Sequence, residues 1–366
     1  MQVAGQGQGS FNLRRRASRA VRVGSVTIGG CAPISVQSMA KCPTTDVDQV
    51  LEQTRRVAAA GGQLMRVAVP DEASVQALPS IVADSPLPIV ADIHFDARLA
   101  VAAVEAGAAK IRINPGNIGG DAALAAVARA CAERGVPVRI GANAGSLDRD
   151  LRAKHGGATA GALAESALRS VDKMRALGLE DLVVSVKAAD VARTVEANRL
   201  LAAQTDVPLH LGVTEAGPGD DGVVKSAIGL GLLLSEGIGD TIRVSLTAPP
   251  EREVRVARLV LRCLGLQAGP MLVSCPMCAR ARIDVAGLAA EVAGLLENMS
   301  APVVVAVMGC EVNGPGEARE ADVGIAGGRE RAVIFRRGEV VRTVPSERSL
   351  EALREELEAT IASRAE

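Results

Sequence analysis

The sequence predicts an α/β protein, a (β/α)8 TIM barrel followed by a smaller α+β domain, from three observations. Short β-rich runs alternate eight times with Ala- and Leu-rich amphipathic runs, which is the period of a (β/α)8 barrel over about 230 residues. No G-x-G-x-x-G follows the first run, which disfavours the alternative of a doubly wound open sheet. The regular alternation of strand and helix patterns ends after residue 266. With three Phe and no Trp or Tyr in 366 residues, the core must consist of Ala, Val, Leu and Ile.

Each predicted barrel strand is bounded by Gly, Pro or Asp and precedes a helical pattern. The eight runs are PISVQSM (33–39), LMRVAV (64–69), PIVADI (88–93), KIRINP (110–115), VPVRIGAN (136–143), DLVVSVKA (181–188), PLHLGVTE (208–215) and TIRVSL (241–246). The segment VTIGG (26–30) is predicted to form a short hairpin strand at the barrel floor. The segment 154–162, with KHGG and GATAGA, is predicted to form a long loop after the fifth strand, a candidate lid. The eighth helix is expected to end near Leu266.

The residues after QAGP (267–270) predict a second domain. Strands are expected at MLVSCPMC, APVVVAVMGC, ADVGIAGG and RAVIFRRGEVVRTV, and helices at VAGLAAEVAGLLENM and SERSLEALREELEATIASRA. We therefore predict an N-terminal tail over 1–20, a barrel over 21–266 and a second domain over 271–366.

Composition excludes several classes of function. The net charge is −1, which gives no global attraction to nucleic acid or to an anionic membrane. No apolar run approaches the roughly 20 residues that span a bilayer, and the N-terminus has no apolar stretch of signal-peptide type. Seven cysteines in so long a chain are typical of a reducing compartment. We expect a cytoplasmic protein whose cysteines bind metal or serve catalysis.

Polar residues cluster at the predicted carboxyl ends of the strands, where (β/α)8 enzymes place their chemistry. They are Arg66, Asp92, His94, Arg112, Asn114, Arg139, Asn143, Lys187, Glu215, Arg243 and Ser245. Each arginine alone could pair with a core carboxylate, but four Arg and a Lys face only Asp92 and Glu215. This excess predicts a multiply charged anion, and guanidinium groups suit phosphate oxygens. Asp92 and Glu215 are candidates for acid–base work or for counter-ions. His94 is a candidate proton donor or a hydrogen-bonding rim residue, whereas His210, at the floor end, is expected to be structural.

The second domain carries a C-x-x-C pair, Cys275 and Cys278, and a third cysteine, Cys310. It has no fourth cysteine, but Glu311 and Glu317 follow Cys310. Structural zinc prefers Cys or His for all four ligands, and no His lies after His210. Three thiolates and an oxygen ligand fit an iron–sulfur cluster better.

The motifs PISVQSM, RINPGNIG, RIGANAGSL, SVKAAD, HLGVTEAG, KSAIGLGLLLSEGIGDTIRVSLT, SCPMC and GCEVNGPGEA resemble those of the bacterial 4-hydroxy-3-methylbut-2-enyl diphosphate synthase family over about residues 14–350. The resemblance implies a TIM barrel and a [4Fe-4S] domain like a sulfite-reductase module. It implies reductive ring opening of 2-C-methyl-D-erythritol 2,4-cyclodiphosphate with loss of water, in isoprenoid biosynthesis. Flavodoxin or ferredoxin would deliver two electrons.

By motif, the resemblance implies cluster ligands at Cys275, Cys278, Cys310 and Glu317. It implies substrate contacts at Arg66, Arg112, Asn114, Arg139, Asn143, Lys187, Arg243 and Ser245, and a catalytic Glu215 near the leaving oxygen. Asp92 and His94 remain further catalytic candidates. The sequence departs from the family in AKCPTTD and KAAD, which leaves the role of Cys42 open.

Two other function classes remain possible from the residues alone. One is a barrel protein with a structural zinc site that binds a phosphorylated sugar. The other is an electron-transfer protein in which the barrel serves as a docking scaffold. The linker after Leu266 is short, about four residues that span at most about 14 Å, and the eighth helix should end at the barrel floor. We therefore expect a head-to-tail homodimer in which each cluster domain caps its partner's barrel, an arrangement that the family resemblance also implies.

Overall fold

The computed structural model describes residues 14–143, 145, 147–297, 299–310, 316, 318–328 and 330–364. The chain divides into two compact units between Leu266 and Gln267. The strands of the first unit are β1 (Val21–Val23), β2 (Val26–Ile28), β3 (Ser35–Met39), β4 (Leu64–Ala68), β5 (Ile89–Asp92), β6 (Lys110–Ile113), β7 (Val138–Asn143), β8 (Leu182–Lys187), β9 (His210–Leu211) and β10 (Thr241–Ile242). Its helices are α1 (Val47–Ala59), α2 (Glu72–Asp84), α3 (Ala97–Glu105), α4 (Gly120–Arg134), α5 (Arg149–Lys154), α6 (Ala160–Ala176), α7 (Val191–Ala202), α8 (Gly219–Ser235) and α9 (Pro250–Cys263).

Strands β3 to β10 form a closed parallel barrel. They are hydrogen-bonded in the order β8-β7-β6-β5-β4-β3-β10-β9, and a parallel bridge between Val184 and Leu209 joins β8 to the start of β9. Aspartates start several helices: the Asp46 side chain accepts the Gln49 N–H and Asp71 accepts the Ser74 N–H, which satisfies otherwise unpaired donors of the first turn. The predicted (β/α)8 barrel is therefore confirmed.

The two faces of each barrel strand have opposite chemistry. Outward residues such as Ile111, Val138, Ile140 and Val184 belong to the main apolar core that the strands share with the surrounding helices. Inward residues include Arg112 and Arg139, which are paired in register on β6 and β7. Because side chains alternate along a strand, this pattern places polar groups in the lumen while the helices bury the outer faces.

The barrel floor is closed by the β1–β2 hairpin and by the segment that precedes it. Ile28, Leu64, Val90 and Val183 belong to one small buried apolar cluster, so the predicted floor hairpin is present. The segment from Arg15 to Ser18 is tied to Asp240: Arg15 Nη2 lies 3.1 Å from Asp240 Oδ1, and Ser18 Oγ donates to the same oxygen at 2.7 Å. The residues just before β1 thus contact the barrel directly.

Two regions differ from the sequence-based expectations. β9 and β10 are far shorter than the runs 208–215 and 241–246. Pro208 has no N–H to donate, and Glu215 has a φ of 52°, so the ladder of β9 is limited at both sides. The segment 154–162 is not a long loop, because α5 ends at Lys154 and α6 begins at Ala160 with Thr159 as its N-cap.

The second unit is a five-stranded mixed sheet with two helices in its described part. Its elements are β11 (Met271–Ser274), α10 (Val285–Glu297), β12 (Val304–Met308), β13 (Val323–Gly327), β14 (Arg331–Arg336), β15 (Glu339–Pro345), a 3₁₀ turn (Ser346–Arg348) and α11 (Ser349–Ala362). The strand order is β11 to β15; the first three strands are parallel and the last two pair antiparallel. Val292, Val305, Ile325 and Leu353 share its core. In the described part of the chain, no helix is both long and apolar enough to cross a bilayer.

Candidate active site

The strand register places most of the predicted site residues side by side at the barrel mouth. Asp92 pairs with Arg112, Arg112 with Arg139, and Asn143 with Lys187 on neighbouring parallel strands. Parallel strands present their carboxyl ends on one side of a barrel. The structure therefore brings these five residues together, as the sequence predicted.

Asp92 holds three of the mouth residues together. It is 2% exposed, and its carboxylate lies 3.0 Å from Arg112 Nη1, 3.5 Å from Arg66 Nη2 and 3.2 Å from His94 Nε2. Burial opposes ionisation, but the Arg66 charge, the His94 hydrogen bond and the Arg112 charge together hold the pKa of Asp92 below its usual value. Asp92 is thus an ionised counter-ion near neutral pH and is not suited to act as a general acid.

A second buried carboxylate, Glu253 on α9, holds the opposite side of the mouth. It is 1% exposed. Its Oε2 accepts a hydrogen bond from Ser38 at 2.9 Å and lies 3.4 Å from Arg243 Nε. Its Oε1 lies 2.9 Å from Lys41 Nζ and accepts the Leu246 N–H at 3.0 Å. Glu253 therefore fixes Arg243 as Asp92 fixes Arg66 and Arg112.

Sequence reasoning missed Glu253 because it considered only residues at strand ends. A signal existed on the helix: Glu253 lies three, four and seven residues before Val256, Ala257 and Val260, which are buried on the same face of α9. An acidic residue on the apolar face of a helix needs a buried partner, so this position could have been recognised as part of an ion-pair network.

Arg139 and Lys187 carry further charge in the lumen. Arg139 is 2% exposed, and its Nε and Nη1 have no hydrogen-bond partner among the residues that the structure describes. Burial first, and then the positive charges around each group, lower the pKa values of Arg139 and Lys187; the pKa of Arg66 falls to about 10 for the same reasons. The five predicted cations thus outnumber the two buried carboxylates, Asp92 and Glu253, and Lys41 beside Glu253 adds a further positive charge.

Two glycines make room for these cations. A Cβ on Gly141 would lie 2.9 Å from the Arg112 guanidinium, and one on Gly212 would lie 2.8 Å from Lys187 Nζ and 2.4 Å from the Arg243 carbonyl oxygen. Real Cβ atoms do not approach other atoms so closely without a shift of one or the other. The positions of Arg112 and Lys187 therefore depend on the absence of a side chain at 141 and 212.

The remaining predicted residues lie around the rim. His94 is half exposed, and a cavity of about 200 Å³ is lined by Asp92, His94, Phe95 and residues after β4. Asn114 is buried and accepts the Gly116 N–H at 3.2 Å, and Ser245 is partly buried. Glu215 is exposed, with a φ of 52°, and forms no ion pair with the described residues. The structure therefore does not join Glu215 to the Asp92 cluster.

The three cysteines of the second unit lie at the carboxyl ends of two neighbouring strands. Cys275 follows β11 and Cys310 comes two residues after the end of β12, and the two strands pair in parallel up to Ser274 and Val307. Cys275 Sγ accepts the Gly309 N–H at 3.2 Å. Cys278 is exposed, and the Arg280 backbone N–H and side chain lower the pKa of its thiol.

The proposed cluster ligands are only partly within the described residues. Glu317 and Glu311 lie outside them. Of the side chains that are described, no three Cys, His, Asp or Glu form a group that could hold a metal ion. The chemistry of the donors nevertheless fits a thiolate-ligated iron–sulfur group, because one sulfur accepts a backbone N–H and another has a lowered pKa. The ligand set stays a prediction.

Comparison with known proteins identifies the family. The family model described as the GcpE TIM-barrel domain matches residues 18–258, and that of the GcpE protein C-terminal domain matches residues 271–359. A protein of Salinispora arenicola named "4-hydroxy-3-methylbut-2-en-1-yl diphosphate synthase (flavodoxin)" is 54% identical over 93% of this chain and 88% of its own. Proteins with the same name from Geobacter sulfurreducens and Natranaerobius thermophilus are 51% and 50% identical, over 95% and 93% of this chain and 99% and 96% of their own. The resemblance inferred from the motifs is confirmed, and the chain belongs to the GcpE family.

Proposed function

We propose that this chain is an iron–sulfur oxidoreductase of isoprenoid biosynthesis. It opens the ring of 2-C-methyl-D-erythritol 2,4-cyclodiphosphate and yields 4-hydroxy-3-methylbut-2-enyl diphosphate. One C–O bond to the diphosphate breaks, one hydroxyl leaves as water, and two electrons and two protons are taken up. The relatives' shared name supports this reaction. The observation that carries the proposal is the buried cationic mouth, where the cations outnumber the carboxylates before a ligand binds.

The barrel, 21–266, is the substrate domain, with 1–20 as an N-terminal segment. Arg66, Arg112, Arg139, Lys187 and Arg243 bind the diphosphate, and Asn114, Asn143 and Ser245 complete its hydrogen bonds. Asp92 and Glu253 position the guanidinium groups, so that binding requires little rearrangement. Their negative charges also offset part of the positive charge in the mouth, whose mutual repulsion would otherwise destabilise the folded barrel.

The proton that lets the hydroxyl leave as water is supplied by a rim residue. Glu215 is solvent-exposed and can take up and release a proton near the leaving oxygen. His94 can donate a proton, because its ring contacts both Asp92 and Arg112, which fix its orientation. Asp92 is proposed as a positioning residue and not as a proton donor.

The second domain, 271–366, is the cluster domain. Cys275, Cys278, Cys310 and Glu317 would hold a [4Fe-4S] cluster, which would supply electrons one at a time and a Lewis-acidic iron. The Gly309 N–H to Cys275 Sγ stabilises a thiolate at that position. Flavodoxin, which appears in the relatives' names, or ferredoxin would be the electron donor. We expect the enzyme to lie in the cytoplasm.

The active site is proposed to be shared in a head-to-tail homodimer. Seven residues, 264–270, separate α9 from β11, more than the four expected from the sequence, and they span at most about 25 Å. A barrel with its helices is several tens of ångströms across, which is more than this linker spans. The cluster domain that covers a barrel mouth is therefore proposed to come from the partner chain. If so, mixing Glu215→Gln chains with Cys310→Ser chains should restore activity; demonstrated subunit exchange without activity would contradict the shared site.

The deciding experiment is anaerobic purification of the full chain, with iron and sulfide analysis, a visible spectrum and turnover of the cyclic diphosphate by a chemical reductant. Cluster absorption together with release of the open-chain diphosphate supports the proposal. Zinc without iron would favour a barrel that only binds a phosphorylated sugar. A cluster without turnover, and without substrate binding, would favour an electron-transfer protein.

A further inference from the structure

Lys41 lies beside the barrel mouth, in the segment AKCPTTD (40–46) that departs from the family motifs and has no role in the proposed reaction. It comes two residues after the end of β3. Its backbone N–H donates to the side-chain oxygen of Gln53, a buried residue of α1, at 2.8 Å. The backbone of Lys41 is therefore held by a buried amide, which limits where its ammonium group can reach.

The Lys41 ammonium group makes three contacts within the barrel. Its Nζ lies 2.9 Å from Glu253 Oε1 and 2.6 Å from the Leu246 carbonyl oxygen, and it also donates to the Ala248 carbonyl oxygen. An ammonium group has three donors and no acceptor, so these contacts use all of them. Lys41 is therefore suited to hold other groups of the mouth and not to bind an anion itself.

The groups that Lys41 holds are next to two proposed substrate contacts, Ser245 and Arg243. Leu246 follows Ser245, and its N–H donates to Glu253 while its carbonyl oxygen accepts from Lys41. Glu253 is also the counter-ion of Arg243, and the hydrogen bond between them comes from Arg243 Nε at 3.4 Å. The terminal nitrogens of Arg243 are thus not the ones that Glu253 engages, and they remain for phosphate oxygens.

We propose that Lys41 is a positioning residue for the substrate, which neutralises Glu253 and so keeps the terminal nitrogens of Arg243 for the diphosphate. This inference rests on the proposed function of the mouth. Without the Lys41 charge, Arg243 would be the one cation left beside the buried Glu253 carboxylate, and carboxylates favour bidentate pairs with guanidinium groups. Phosphate oxygens would then compete with Glu253 for the same donors. Lys41 thus raises substrate affinity through Glu253 and Arg243, without touching the substrate.

Binding and turnover of the cyclic diphosphate by Lys41→Met and Lys41→Gln holoenzymes test this role. In both, Kd and KM should rise about tenfold, equivalent to about 1.4 kcal/mol, while kcat and iron content stay at the wild-type values. Lys41→Gln keeps donors for the Leu246 and Ala248 carbonyls, so a contact that only joins loops predicts wild-type binding there. Lys41→Arg keeps the charge and should restore most of the affinity. Lys173→Met is the control, because Lys173 pairs with Asp121 on the surface, and its Kd should not change.

A double variant separates this role from a purely structural one. Adding Glu253→Gln to Lys41→Met should bring Kd back towards the wild-type value, because the competing carboxylate is gone. Independent structural effects would add instead, and the double variant would then bind more weakly than either single one. Lys41→Gln replaces Lys41→Met in this cycle if the latter does not fold.

Two results would overturn the inference while the proposed function stands: wild-type Kd in Lys41→Gln, or additive losses in the double variant. A different result would overturn both. It is a wild-type holoenzyme that binds neither the cyclic diphosphate nor inorganic diphosphate, because the mouth would then not be a diphosphate site.

Discussion

The barrel mouth and the cysteine end of the second sheet are both candidate binding regions, but they are built in opposite ways. At the mouth, charged side chains are buried and fixed by Asp92 and Glu253, each of which contacts three or more groups. At the cysteine end, Cys278 is exposed and Cys275 and Cys310 are partly buried, and the described sulfur contacts are hydrogen bonds from Gly309 to Cys275 and from Arg280 to Cys278.

This difference predicts how each region depends on its ligand. A buried ion-pair network is part of the fold, so removal of one member leaves an uncompensated charge in the core. Exposed thiols contribute little to the packing of the ligand-free chain, and their order comes from what they bind. Changes at the mouth should therefore damage stability and substrate binding together, whereas changes at the cysteines should remove the ligand and leave the fold.

The largest effect is expected from Glu253→Gln. The substitution removes the charge that compensates Arg243 and Lys41 at a position 1% exposed, and loss of one partner of a buried pair costs about 3–5 kcal/mol. Denaturant unfolding of the full chain measures it. Glu236→Gln is the matched control, since Glu236 pairs with Arg199 on the surface and should change stability by less than about 1 kcal/mol. Equal effects of the two substitutions would show that the mouth network is not structural.

Asp92→Asn should come next, with a loss of about 2–4 kcal/mol near neutral pH, since Arg66 and Arg112 retain an amide oxygen but lose the charge. The folded-state pKa of Asp92 is lowered relative to about 3.9 in the unfolded chain. Its stabilisation is therefore complete above about pH 5 and is lost as the pH falls towards the lowered pKa.

Unfolding of wild type and Asp92→Asn between pH 2 and pH 7 checks this. The difference between the two proteins should be constant above about pH 5 and should shrink in acid. A difference that does not depend on pH would mean that Asp92 acts by shape or hydrogen bonding and not by its charge.

Gly212→Ala tests the clearance of the mouth with a smaller expected loss of about 1–3 kcal/mol, the usual penalty of overpacking. The new methyl would meet the Arg243 carbonyl and Lys187 Nζ, so substrate Kd should rise while iron content stays unchanged. Gly231→Ala is the control: it lies in α8 with nothing within 4 Å of its added Cβ, and should stabilise the helix by about 0.5–1 kcal/mol. Unchanged substrate binding in Gly212→Ala would show that Lys187 tolerates displacement.

The sequence predicted the barrel and most of the mouth because both follow from a local rule. Side chains alternate along each strand, so Arg112 and Asn114, or Arg139 and Asn143, must face the same side. The same rule applied one step further back would have found Lys110, two residues before Arg112, as a lumen residue, and Gln37 in PISVQSM.

What could not be read from the sequence depends on contacts between distant elements. Glu253 acts through Arg243, Ser38 and Lys41, which lie on different elements. The short length of β9 depends on the backbone at Pro208 and Glu215. The assignment of Asp92 as a counter-ion depends on its distances to Arg66 and Arg112, which the strand pattern alone does not give.

The smallest effect on the fold, and the largest on the cofactor, is expected from Cys275→Ser. Cys275 is partly buried at a strand end and packs against two apolar clusters, so the ligand-free chain should lose about 1 kcal/mol of stability or less, while iron content and visible absorption of the anaerobic protein should fall to background. Glu317→Gln, outside the described residues, should weaken the cluster and still allow its assembly.

Cys131→Ser is the converse case and completes the comparison. Cys131 is fully buried on α4, and burial raises the pKa of its thiol to about 12. A serine hydroxyl in this apolar site should cost about 1–3 kcal/mol in unfolding free energy, yet iron content per folded chain should stay at the wild-type value. Cys275→Ser should thus remove the cluster and leave most of the stability, whereas Cys131→Ser should lower the stability and leave the cluster in place. If both lose iron equally, the cluster is not assigned to Cys275, and if neither does, the ligands lie elsewhere.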